Sequence, residues 1–199
     1  MLFLKKYLFD YMTHLYLVRH GETLENQQQI LQGCMPGHLS EKGMKQAEEL
    51  KNKLRQSGIK FDIMLISDLK RTLDTASIVN QALHLSLIPC RLLRERDWGS
   101  YTGIAISIAK RTPIPNDAES VEHMFMRAKL FLKYIEDNFY GKTVLAIGHG
   151  LFNRTIQACL SECAIKDVPR INNCEIRHLQ FEHLPDKWKG NDEQVVSAD

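Results

Sequence analysis

Two apolar runs in this 199-residue chain end in an imidazole beside glycine. His14–Val18 leads into Arg19-His20-Gly21, and Thr143–Gly148 leads into His149-Gly150. A third run, Phe61–Ile66, ends at Ser67, four residues before Arg71. Two imidazoles and two guanidiniums at the ends of such runs make a cationic set without metal-ligand spacing. A phosphate group suits that set, because Arg presents planar, paired donors to oxyanions and stays charged at any working pH. Each residue alone has a plainer reading. A lone histidine is more often structural than catalytic, and a lone arginine early in a helix is usually a solvated charge. It is the coincidence of all four at successive strand ends that points to chemistry.

The elements that must position them follow from periodicity. His14–Val18, Phe61–Ile66, Leu85–Cys90 and Thr143–Gly148 read as short buried strands, and Cys174–Phe181 alternates as an edge strand. Ser40 is placed as an N-cap, followed by Met44, Ala47, Leu50 and Leu54 at helical spacing and by Gly58 as a stop. Ser67-Asp68 is expected to open a second helix through Leu69, Leu73, Ala76 and Val79. Ser120 precedes an amphipathic helix over 120–138, and Leu151–Leu160 reads as the last helix. Strands alternating with helices predict an α/β fold: a three-layer α/β/α sandwich with a mostly parallel central sheet, whose crevice lies at the carboxyl ends of the strands. Both histidines then face one crevice, and helix N-termini after Ser67 and Gly150 add backbone donors. The expected organisation is an extension over 1–11, one domain over 12–184 with a short lid near 96–119, and a loose tail over 185–199.

The motifs carry a resemblance. L-V-R-H-G-E-T (Leu17 to Thr23) with Asn26 is similar to the signature of the histidine phosphatase superfamily, in its phosphoglycerate-mutase-like branch. The similarity continues, in the family's order, through L-S-E-K-G-M-K-Q-A (Leu39 to Ala47), S-D-L-K-R-T-L-D-T-A (Ser67 to Ala76), L-R-E-R-D-W-G-S-Y-T-G (Leu93 to Gly103) and G-H-G-L-F-N-R (Gly148 to Arg154). It implies a catalytic His20 that is transiently phosphorylated, Arg19 and Arg71 on the phosphoryl oxygens, a transition-state role for His149, and Glu95 as proton donor. Asn26 and Gly150 are carried over as phosphate-pocket residues. Nucleophilic attack needs a neutral imidazole, and two neighbouring guanidiniums disfavour its protonation. Glu22 is weighed as a structural hydrogen-bonding partner beside a catalytic role, and Arg154 as an anchor for the His149 loop.

Trp98, Tyr101, Lys110 and Arg111 are the candidate substrate residues on the lid, although a basic pair such as Lys110-Arg111 is commonly just solvated. The interval between Glu95 and His149 leaves room only for a short lid, which favours a small phosphatase over a mutase that must seal its intermediate from water. The expected function is a metal-independent phosphomonoesterase for a small phosphorylated metabolite, needing no cofactor. A bisphosphoglycerate-dependent phosphoglycerate mutase is the alternative, and a non-catalytic phosphate-binding module the third.

Composition sets the outer limits. With 44% apolar and 25% charged residues and a net charge of +2, the chain reads as an ordinary globular domain. Its charges form no basic block, which argues against nucleic acid as partner. No apolar run is long enough to span a bilayer, and the first twelve residues make a poor signal peptide. Five irregularly spaced cysteines read as reduced thiols of a cytoplasmic protein. Cys159 and Cys163, four apart, are expected to share a helix face as small apolar residues. Oligomeric state is not legible; a homodimer would be the commonest assembly.

Overall fold

The computed structural model describes residues 12–188. The extension 1–11 and positions 189–199 of the expected tail lie outside the described residues. Strands β1 (Thr13–Arg19), β2 (Ile63–Ile66), β3 (Leu87–Pro89), β4 (Thr143–Gly148) and β5 (Ile176–Phe181) form one sheet in the order β3-β2-β4-β1-β5. The first four run parallel, and β5 pairs antiparallel with β1 at the edge. Every residue of β4 after Thr143 is buried, as a strand covered on both faces requires.

The helices are α1 (Leu24–Gln27), α2 (Glu41–Ser57), α3 (Lys70–Leu83), α4 (Ile106–Ala109), α5 (Val121–Phe139) and α6 (Gly150–Leu160). Two cores flank the sheet, set by the period-two alternation of its strands. Leu15, Leu17, Leu65, Val144 and Ala146 pack against Phe131, Leu132 and Ile135 of α5 and Phe152 and Ile156 of α6. Val18, Met64, Ile66, Leu145 and Ile147 point the other way, onto Leu50 and Leu54 of α2 and Ala76 and Val79 of α3. The caps read from sequence are in place: Ser40 accepts the Gly43 N–H, Ser120 accepts the His123 N–H, and Gly58 closes α2 at φ +67°.

Four local expectations need correction. Ser67-Asp68 does not open a helix; α3 starts at Lys70 after extended Leu69, because the Ser67 and Asp68 side chains are engaged by His149 and Arg94. Met44 is 45% exposed, and Gly43 takes its place on the inner face of α2. Cys163 lies past the end of α6, where its N–H bonds Ala158 O while the Glu162 N–H bonds Cys159 O. That is a Schellman turn with Glu162 at φ +50°, so the two thiols do not share a helix face. Nor is the tail loose from 185: Leu184 belongs to the core and Trp188 packs against it, since a large indole gains more by covering apolar surface than by hydration.

The segment 96–119, expected as a lid, is joined by a second segment. Leu31 N–H bonds Ile104 O, Gly103 N–H bonds Leu31 O and Ile106 N–H bonds Gln29 O, at 2.8–2.9 Å. At its base, Glu119 N–H bonds Asp97 O.

Candidate active site

The central strands β2, β4 and β1 end side by side, with Arg19 in register with Gly148 and Ile66 with Ile147. His20 therefore stands level with His149, while Ser67 stands level with Gly148, one residue earlier. His20 N–H continues the ladder to Gly148 O (3.0 Å), and Ser67 N–H does so to Ile147 O (3.0 Å). The two imidazoles come within 5.3 Å, centroid to centroid, edge to face. They are 3% and 0% exposed.

Nδ1 of His20 donates to the Gly21 carbonyl at 2.7 Å, which leaves Nε2 as the acceptor. Arg71 Nε lies 3.2 Å from that nitrogen and 3.2 Å from His149 Nδ1. Burial first, then the Arg71 and Arg19 guanidiniums, push the His20 pKa well below its ordinary value. For His149 burial is again foremost, followed by Arg71 and by His20. Both rings are neutral at working pH, so His20 Nε2 carries a lone pair and not a proton.

The arginines are fixed in different ways. The Arg71 fork is buried and committed to backbone, with Nη2 on Gly33 O at 2.8 Å and Nη1 on Met35 O. Burial lowers its pKa to about 10, which still leaves it charged. Arg19 donates from Nη1 to Ile171 O at 3.0 Å, while its buried Nε has no partner among the described residues. An unpaired buried donor of this kind is costly unless an anion meets it. Gly150 makes room for it: a Cβ there would stand 3.3 Å from Arg19 Nε.

Glu95 sits at the head of α6. Its carboxylate accepts the N–H groups of Leu151, Phe152 and Arg96 at 2.9–3.1 Å. The donors expected free at this helix terminus are thus held by the acid itself, and its charge opposes the lowered pKa of both Arg19 and Arg71. Trp98 has a different neighbour, the Arg96 guanidinium, 4.3 Å from its ring. Asn26 forms the capping box of α1 with Thr23 and makes no hydrogen bond to the histidines or their arginines among the described residues. Tyr101 OH donates to Pro113 O inside the lid (2.8 Å). Lys110 and Arg111 are exposed and form no hydrogen bond or ion pair with the cluster. Glu22 is a hub, accepting from Gln27, Ser40 and Lys42. Arg154 does not hold the His149 loop; it binds Val168 O and Ile165 O beyond α6, where carbonyls are left over by the turn.

Several supporting residues escaped the sequence reading. Ser67 Oγ is 2.8 Å from His149 Nε2, and its place at a strand end is the signal that could have found it. Asn173 Nδ2 holds His20 O at 2.9 Å, and buried Asn153 ties α6 to Val18 O at 3.0 Å. Arg127 grips both Glu119 oxygens, Leu92 O and Arg94 O, and lies 3.8 Å over the Phe152 ring. It thereby fixes the segment that carries Glu95. These contacts run between distant elements and leave no local pattern. Among the described residues no group of three or more His, Cys, Asp or Glu side chains could hold a metal ion, and no helix is long and apolar enough to cross a membrane. Two surface depressions, one beside Phe125, Cys159 and Trp188 and one beside His38, Met44 and Lys70, lie away from the histidines.

Comparison with known proteins gives the family. The chain is 32% identical over 193 residues to "Uncharacterized phosphatase PhoE" of Bacillus subtilis, covering 94% of this chain and 96% of that protein. It is 30% identical over 182 residues to the 2,3-bisphosphoglycerate-dependent phosphoglycerate mutase of Rhizobium etli, covering 81% and 87%. Among solved structures, Bacillus stearothermophilus YhfR superposes with a TM-score of 0.77 at 27% identity, over 83% of this chain and 90% of that one. A mycobacterial glucosyl-3-phosphoglycerate phosphatase shares the fold, with a TM-score of 0.75 at 22% identity over 85% and 90%. The family model for branch 1 of the histidine phosphatase superfamily matches residues 15–189, a span that contains both histidines, both arginines and Glu95; this chain belongs to that superfamily.

Proposed function

We propose that the protein hydrolyses phosphomonoesters of small metabolites in the cytoplasm, through a phosphohistidine on His20. The observation that carries this reading is the neutral, buried His20, whose Nε2 lone pair is aimed by the Gly21 hydrogen bond at a fixed guanidinium. In the first step Nε2 attacks phosphorus, the bond to the ester oxygen breaks, and Glu95, which takes up the proton that a phosphomonoester monoanion brings into the site, passes it to the departing alkoxide. In the second, water attacks the phosphohistidine, Glu95 takes the water's proton, and the N–P bond breaks to free phosphate. Arg19, Arg71 and His149 stabilise the charge that gathers on the phosphoryl oxygens, the largest part of what phosphoryl transfer needs. They supply this charge without requiring a divalent cation. The family's phosphatase members and the short lid support hydrolysis over isomerisation; the mutase relative keeps isomerisation as the other arm of the test.

Phosphate release is to be measured in chelator from a panel of sugar phosphates, nucleoside-like phosphates and phosphoglycerates. A parallel assay follows phosphoglycerate isomerisation with a bisphosphate primer. His20→Ala should lose release by about a thousandfold or more, as removal of a nucleophile does, together with acid-labile label on the protein. Isomerisation without free phosphate would replace the phosphatase reading with the mutase. Neither activity, with phosphate still bound, would leave a binding module.

A further inference from the structure

We propose that Ser67 is a positioning residue that sets which nitrogen of His149 carries the proton during phosphoryl transfer; the inference rests on the reaction proposed above. Ser67 is wholly buried at the end of β2. Its N–H is tied to Ile147 O, and its carbonyl accepts the Thr72 hydroxyl at 2.8 Å. The backbone is therefore fixed, and only the hydroxyl can turn. That hydroxyl lies 2.8 Å from His149 Nε2.

The other nitrogen of the ring, Nδ1, faces the reacting centre. It stands 3.2 Å from Arg71 Nε, whose N–H also points at the His20 nucleophile. A phosphoryl group in transit to His20 Nε2 would place an oxygen among these three nitrogens and take the Arg71 N–H. A lone pair on His149 Nδ1 would then repel that oxygen, whereas an N–H there would stabilise it. His149 is neutral and has a single N–H to place. With that N–H at Nδ1, Nε2 becomes a buried acceptor, and a donor beside it favours this tautomer by sparing the cost of leaving it unpaired.

Ser67 O–H is that donor. A carboxylate in its place would do the reverse, drawing the proton to Nε2 and turning a lone pair on the substrate. A hydroxyl is both donor and acceptor, so Ser67 also fits the form seen in the structure, in which Nδ1 accepts from Arg71 and Nε2–H is given to Oγ. Passing between the two forms adds one proton at Nδ1 and removes one from Nε2, by exchange with water as substrate is admitted. The net charge of the site does not change. This explains a serine at the strand end beside His149.

The test combines kinetics with a direct reading of the ring. Ser67→Ala should lower kcat by about 10- to 100-fold, the scale expected for weakening one oxyanion donor, with KM nearly unchanged. Nitrogen-15 NMR of the vanadate-bound protein should show His149 protonated at Nδ1 in the wild type, and that preference should be lost in Ser67→Ala. Protonation at Nε2 in the vanadate-bound wild type would overturn the proposal. So would a Ser67→Ala protein that keeps its kcat, or one that loses kcat while His149 keeps its proton on Nδ1. Should Ser67→Ala fail to fold, the wild-type tautomer decides alone. A wild type that hydrolyses no phosphomonoester would instead sink the reaction proposed above, and the vanadate complex would still report on Ser67.

Discussion

Arg71 has two tasks that a single positive charge could not combine. Its Nε faces both histidines while its Nη groups hold the carbonyls of Gly33 and Met35, so the group beside the histidine pair also fastens the segment around Gly33 and Met35. A planar fork with five donors can do this, and an ammonium cannot. Arg71→Lys, which keeps the charge, should therefore lower kcat/KM by about 100-fold or more, the combined loss of two or three charge-assisted hydrogen bonds. Amide hydrogen exchange around Gly33 to Met35 should quicken in the same protein. A lysine variant with near-normal kinetics would show that charge alone matters. Of this double role, the sequence made only the charge legible, because main-chain carbonyls carry no residue signature.

Between elements, the tightest contact near the site is that of α2 with the loop after β1. A Cβ added at Gly43 would stand 1.9 Å from Glu22 O, and one at Gly21 would meet Gly43 O at 2.5 Å. Helix and loop touch backbone to backbone, immediately next to His20. Alanine is favoured over glycine inside a helix by about 1 kcal/mol, and on propensity alone Gly43→Ala would stabilise the protein. The clash should win: a net loss of about 1–3 kcal/mol, the range typical of overpacking, together with lowered kcat as the His20 loop is displaced. Thermal denaturation and turnover check both, and a stabilised, fully active variant would refute the contact. The Ser40 and Gly58 caps of α2 were legible because capping is local; the reason for Gly43 was not, because the atoms it admits belong to a residue 21 positions earlier.

For the molecule as a whole, the neutral histidine pair ties stability to pH. The pKa values of His20 and His149 are depressed well below the ordinary 6.5 in the folded protein, so below that pH the unfolded chain binds protons that the native state refuses. Their contribution is complete above about pH 6.5 and is lost as pH falls toward the folded values, by at most about 1.4 kcal/mol per pH unit for each ring. Glu22 and Asp68, whose carboxyls are held below their usual range by Lys42 and Arg94, add losses only at more acid pH. Urea unfolding at pH 7.5 and 5.5 should give a clearly lower stability at the acid value, and equal stabilities would contradict the burial. The same depression keeps the nucleophile unprotonated, so kcat/KM should show no acid limb near pH 6.5.

By itself the sequence determined the layered α/β architecture, the ends of most helices, the family, and two histidines and two arginines near the ends of strands and at a helix start. All of these rest on periodicity, capping and short motifs, which are properties of neighbours along the chain. Only the tertiary structure decided that β2, β4 and β1 lie side by side, so that Ser67, His149 and His20 come together. It likewise decided that Glu95 faces the head of α6, that Arg127 fixes the Glu95 segment, and that Asn26 caps a helix turn without touching the histidines. Those facts depend on which strand pairs with which and on contacts between residues from 33 to 153 positions apart, where a side chain's partner is chosen by packing and not by its place in the chain.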